Sequence, residues 1–171
     1  EGSMRRAIYL ANVLGVDMGM YYRRLDYSKM VKGRHPIAAY EFLGPKLEGK
    51  DVILIDDMIS SGKSILEIAS LLKKRGAGKI FICTTFGLFT EGMEKFDEAY
   101  QNGIFDKLLT TNLVYQTPEL LSKPYYITCD MSKYIALIID TLNHDMSVSH
   151  LLNPADRIKR CVNNYMAQYE K

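Results

Sequence analysis

The chain has 171 residues, 47% hydrophobic and 25% charged, with 22 Lys and Arg against 20 Asp and Glu for a net charge of +2 at pH 7. That length supports one domain with a substantial core, and the composition is that of an ordinary globular protein. The near-balance of charge gives no argument for nucleic acid from bulk electrostatics, and no apolar run is long enough to span a membrane.

In chain order, residues 4–14 read as a helix, with Ala7, Ile8, Leu10, Ala11 and Leu14 toward one side and Gly15 as its stop. Residues 16–22 read as a strand. Residues 25–45 are polar and basic, punctuated by Gly33, Pro36 and Gly44, and read as an excursion that is partly mobile. A turn at 47–50 leads into an apolar strand at 52–55. Residues 64–75 form a helix whose broad apolar face is made by Ile65, Leu66, Ile68, Ala69, Leu71 and Leu72, with Gly76 and Gly78 as stop signals. A strand at 79–85 follows, then a helix at 91–101 capped by Thr90, a turn at Asn102-Gly103, and short strands at 107–111 and 125–129. The long apolar stretch 131–143 predicts a buried helix, and Asn153-Pro154 opens a last amphipathic one, with Pro154 at a tolerated first-turn position. Strands alternating with helices predict an α/β domain with a mainly parallel sheet flanked by helices, whose ligands bind beyond the carboxyl ends of the strands.

Residues 52–64 carry the chemistry. Four apolar residues end abruptly in Asp56 and Asp57, and a hydroxyl-rich turn with one glycine then opens a helix at Ser64. Each part suits a sugar phosphate. A helix N-terminus offers free N–H groups and a favourable dipole to a phosphate. Ser60, Ser61 and Ser64 can donate hydroxyl hydrogen bonds to it, and Gly62 lets the backbone approach closely. The two carboxylates can accept from ribose hydroxyls, directly or through a hard cation such as Mg2+. Gly62-Lys63-Ser64 has the ending of an ATP-binding P-loop, but Asp57 stands where that motif requires its first glycine. Lys63 can add a cation near the same anion site.

The remaining candidates are quieter. Cys83, Cys129 and Cys161 have no metal-ligand spacing; the first two sit in apolar runs and read as buried thiols, which fits a reducing cytoplasm. No signal peptide is visible. His35, His144 and His150 also lack metal spacing and read as surface or capping residues, so no metal-ligating set is identified.

The 52–64 stretch resembles the phosphoribosyl pyrophosphate loop of type I phosphoribosyltransferases and ribose-phosphate pyrophosphokinases. The run from Arg5-Arg6-Ala7 to Met18, the segment 44–64, the strand into Thr84-Thr85-Phe86 and the closing Asn143-His144-Asp145-Met146-Ser147-Val148-Ser149 are similar to the C-terminal half of a ribose-phosphate pyrophosphokinase. The likeness is greatest to a longer bacterial form with an insert like residues 27–42, and it covers nearly the whole chain. It implies a phosphoribosyltransferase-like, ribose-5-phosphate-binding domain over 1–152, with a loop insert near 25–45, and a C-terminal helical extension at 153–171. It also implies ribose 5-phosphate on Asp56, Asp57, Ser60, Ser61, Gly62, Lys63 and Ser64, with Mg-ATP as the pyrophosphoryl donor and Mg2+ as the cofactor. The implied partners are the N-terminal half of the same enzyme and further copies in a homo-oligomer, with no nucleic acid and no membrane. Glu1-Gly2-Ser3 stands where the family has a Pro-Asp-x-Gly-Gly-like turn, so a fragment of a longer protein, inactive by itself, is expected.

The family's Lys-Arg-Arg run, on a mobile catalytic loop, falls on Arg23, Arg24 and Leu25. In the family this run neutralises charge on the transferring phosphoryl group, which is most of what phosphoryl transfer requires. Arg23 keeps the charge of the Lys place with a different shape, and Arg24 is the second catalytic candidate. Leu25 cannot stand in for the last guanidinium. A non-catalytic homologue that binds sugar phosphate or an active synthetase therefore stays open as an alternative. So does a phosphoribosyltransferase, although no base-recognition hood is found.

Overall fold

The computed structural model describes residues 3–25, 30 and 37–169. Helix α1 (Met4–Leu14) is followed by an antiparallel pair, β1 (Met20–Leu25) and β2 (Ile37–Leu43). Then come β3 (Val52–Ile59), α2 (Lys63–Lys74), β4 (Ile80–Gly87), α3 (Glu94–Gln101), β5 (Lys107–Thr111), α4 (Pro118–Leu121) and β6 (Tyr126–Cys129). Helices α5 (Ser132–Asn143), α6 (Ser149–Leu152) and α7 (Ala155–Tyr169) close the chain. Strands β3, β4, β5 and β6 form one all-parallel sheet in that order, so the fold is α/β with a parallel sheet flanked by helices.

One face of this sheet holds the core. Along β4, Ile80, Ile82 and Thr84 are buried while Phe81 and Cys83 are only partly covered, the period of two expected for a strand. Ile80, Ile82 and Leu108 pack with Ile65, Ala69 and Leu72 of α2 and with an aromatic group of Phe96, Phe105 and Tyr125. Phe105 meets Tyr125 edge-on at 5.3 Å, a favoured ring geometry. Burying each such side chain contributes about 1.5–3 kcal/mol, so α2, α3 and the ends of β3 and β4 are held together by the core.

Several expectations shift. The first strand begins at Met20 and not at residue 16, because Gly15 (φ 67°) ends α1 and Val16 N–H still bonds the Ala11 carbonyl at 3.0 Å. The basic excursion contains a strand: β2 pairs with β1, with Tyr21 against Phe42 at a ring separation of 5.1 Å. The rest of the insert, 26–29 and 31–36, lies outside the described residues. The third helix starts at Glu94, and Thr90 does not cap it; its N–H bonds the Ser60 carbonyl instead. Helix α4 escaped the sequence reading although Pro118 at its first turn and Thr117 as its cap (Leu120 N–H to Thr117 Oγ1, 3.2 Å) are ordinary start signals. Helix α5 has the expected bounds but buries only Thr141, with Ile139 62% exposed. Cys83 and Cys129 are half-buried and Cys161 is exposed. Burial, with Cys129 nearby, pushes the Cys83 thiol up to about 11.

Candidate functional site

The site forms at the carboxyl end of β3. The strand does not stop at the acids; it runs through them to Ile59, with Asp56 opposite Thr84 of β4. Asp56 Oδ1 accepts the N–H of Asp57 at 2.8 Å and the hydroxyl of Ser3 at 2.9 Å. Asp57 forms an ion pair with Arg6, both side chains about half-exposed. Ser3 and Arg6 are three residues apart at the start of α1, so one helical turn holds both carboxylates.

Beyond Ile59 the chain turns sharply into α2. Gly62 has φ 80°, and a Cβ on it would lie 2.4 Å from the ring of the fully buried Phe96. Backbone conformation and space therefore both require glycine. The loop after β4 is stitched to this turn: Leu88 N–H bonds the Ile59 carbonyl at 2.8 Å and Thr90 N–H the Ser60 carbonyl at 3.0 Å. The hydroxyls of Ser60 and Thr90 stand 3.4 Å apart. Phe89, at φ 46°, meets Phe96 edge-on at 5.3 Å and anchors the second loop to the same core.

The N-cap of α2, Gly62, has no side chain to cap the helix; Lys63 N–H reaches the Ser61 hydroxyl at 3.5 Å, a long contact that an anion beside Ser61 and Ser64 can replace at this helix start. Lys63 is exposed and lies near Glu91, whose carboxyl is held low first by its bond from Lys95 and also by the Lys63 charge. Asp56, Asp57, Ser60, Ser61, Gly62, Lys63 and Ser64 are thus continuous around one strand end and one helix start. Arg23 and Arg24 lie in β1, opposite Tyr40 and Ala39, and their side chains fall outside what the structure describes. Sequence reading missed Ser3, Arg6 and the Leu88–Thr90 contacts, which depend on tertiary approach; only the Ser3–Arg6 spacing offered a hint.

Among the described residues, no group of three His, Cys, Asp or Glu side chains is placed to hold a metal ion. Mg2+ usually binds through one or two carboxylates plus substrate oxygens. Asp56 and Asp57 fit that limited role, provided Ser3 and Arg6 yield.

The family model described as phosphoribosyl synthetase-associated domain matches residues 27–153. The chain belongs to this family. It is homologous to ribose-phosphate pyrophosphokinases: 33% identical to that of Thermococcus kodakarensis over 115 residues, covering 67% of this chain and 37% of the relative. It is 29% identical to the Shewanella oneidensis ribose-phosphate pyrophosphokinase over 153 residues, covering 89% of this chain and 45% of that one. Its fold matches a crystal structure of phosphoribosylpyrophosphate synthetase from Mycobacterium smegmatis with a TM-score of 0.68 at 20% identity, covering 85% of this chain and 43% of that one. The chain spans about two fifths of the length of the relatives it matches. No helix among the described residues is long and apolar enough to cross a membrane.

Proposed function

We propose that this domain is the ribose-5-phosphate-binding half of a ribose-phosphate pyrophosphokinase. The observation that carries the reading is the convergence, in a member of this family, of two strand-end carboxylates with a glycine turn and an uncapped helix start. The 5-phosphate rests on the first turn of α2 with Ser60, Ser61, Lys63 and Ser64 around it. The ribose hydroxyls face Asp56 and Asp57, displacing the Ser3 and Arg6 contacts; these two carboxylates would hold Mg2+, which would supply positive charge beside the sugar.

In the whole protein, the C1 hydroxyl oxygen of the held sugar attacks the β-phosphorus of Mg-ATP and loses its proton, the α–β anhydride bond breaks and AMP leaves, with Arg23 and Arg24 as the chain's own phosphate-neutralising candidates. The ATP contacts belong to polypeptide beyond this chain and to neighbouring subunits, so the chain alone binds sugar phosphate without turnover. Leu25, in place of a family arginine, favours a second reading: a homologue that binds sugar phosphate or a synthetase partner and does not turn over.

Calorimetric titration with ribose 5-phosphate, with and without Mg2+, tests the first reading. Saturable binding is expected. A folded chain that takes up no ribose 5-phosphate in either condition would overturn the assignment.

A further inference from the structure

The turn that opens α2 does not stand alone. The loop after β4 lies against it and is fixed there by backbone bonds, Leu88 N–H to the Ile59 carbonyl at 2.8 Å and Thr90 N–H to the Ser60 carbonyl at 3.0 Å. Between these bonds sits Phe89 at φ 46°, a left-handed conformation that a bulky side chain seldom takes. Its ring is wedged. A Cβ on Gly87 would stand 2.5 Å from it, and Phe96, the ring against Gly62, meets it edge-on at 5.3 Å. Gly92 N–H then closes back onto the Phe89 carbonyl at 3.0 Å. Both loops are therefore moulded on Phe96, and the left-handed backbone persists because its surroundings determine it.

That path delivers one side chain to the site. Thr90 Oγ1 stands 3.4 Å from Ser60 Oγ, and both residues are exposed. Among the described residues neither hydroxyl has another hydrogen-bond partner. Thr90 is not used as a helix cap either, because α3 begins at Glu94. A hydroxyl-to-hydroxyl bond is ordinarily about 2.7–2.8 Å long, so at 3.4 Å the pair gains little from itself. An anionic oxygen set between the two takes a bond of about 2.5–2.7 Å from each, roughly twice as strong as a neutral one. The separation of 3.4 Å admits both bonds without moving either loop. The adjacent carboxylate, Glu91, is paired with Lys95 and also feels the Lys63 charge, so it does not leave the hydroxyls facing an unbalanced anion.

We propose, resting on the sugar-phosphate reading above, that Thr90 is a further ligand of the 5-phosphate, its hydroxyl and that of Ser60 gripping one phosphate oxygen between the two loops. The loop after β4 is then a second wall of the phosphate site. An anionic oxygen strengthens both bonds, so the pair favours the phosphorylated sugar over the free one.

Calorimetric titration of this chain and its variants with ribose 5-phosphate tests it. Thr90→Val keeps the shape and the backbone N–H and removes the hydroxyl. It should weaken binding at least about tenfold, as for a hydrogen bond to a charged group. Thr90→Ser restores the hydroxyl and should bind like the parent. The midpoint of urea unfolding should stay that of the parent in both, which separates a lost ligand from a loosened loop. Thr90→Ala is a second way to remove the hydroxyl, so a fold upset by valine does not decide the matter. Parent affinity in both Thr90→Val and Thr90→Ala, or a loss in Thr90→Ser equal to theirs, would overturn the assignment of Thr90 and leave the sugar-phosphate reading standing. A folded parent that takes up no ribose 5-phosphate would overturn both.

Discussion

Gly62 and Phe96 are packed so closely that a Cβ on the glycine would stand 2.4 Å from the ring. The site's turn is therefore moulded on the core, which sets the path from Asp57 into α2. Gly62→Ala has to bear both a left-handed backbone and a clash with the fully buried Phe96 ring, and is expected to lose more than about 2 kcal/mol. Denaturant unfolding measures it. Combining it with Phe96→Leu should recover part of the loss beyond simple additivity. A variant within about 0.5 kcal/mol of the parent, the usual range for inert surface changes, would mean that the turn is not moulded in this way.

Binding should depend on both ends of the turn. On the proposed function, Asp56→Ala removes an acceptor for the sugar, and Ser64→Ala a donor at the helix start. Each is expected to weaken ribose 5-phosphate binding by about 1–3 kcal/mol, as for hydrogen bonds to charged groups. Unchanged affinity in both variants, with folding intact, would sink the assigned site.

Arg6 supplies a charge that Asp57 otherwise lacks. With Arg6→Gln, the two carboxylates stand next to each other without it, and like charges so placed favour a bound cation. The expected result is a steeper dependence of ribose 5-phosphate binding on Mg2+ than in the parent. Titrations of the variant and the parent across Mg2+ concentrations read it directly, and parallel curves would remove Arg6 from the account. Stability should change little, because exposed ion pairs contribute about 0–1 kcal/mol.

The sequence made the parallel sheet legible because β4 and β5 are apolar runs bounded by glycine and polar turns, and it marked the candidate site because acids, glycine and serines are contiguous. What it hid was contact across the chain. Ser3 and Arg6 meet the acids from more than fifty residues away, and Thr90, read as a helix cap, is spent on Ser60. The apolar pattern of α5 shows which side seeks a partner and is silent on whether that partner lies within these residues.

Tyr125 and Lys123 both converge on Asp97 of α3, at 2.7 and 2.6 Å, fastening the loop before β6 to the helix that backs the site. Burial works to raise the Asp97 carboxyl, but the bonds from Lys123 and Tyr125 outweigh it and hold the group below its ordinary 3.8. A lowered carboxylate stabilises the fold fully above its unfolded value and loses that contribution as pH falls through the folded one. For Lys123, raised chiefly by its bond to Asp97, and for Tyr125, raised first by burial, the contributions persist through neutral pH and fade only in alkali. Asp97→Asn should therefore destabilise the protein at pH 7, with the difference from the parent shrinking as the pH drops below 3.8. Urea unfolding of both proteins between neutral pH and acid measures this. A stability difference that stays constant over the whole range would show that the carboxylate's charge is not what holds the loop to α3.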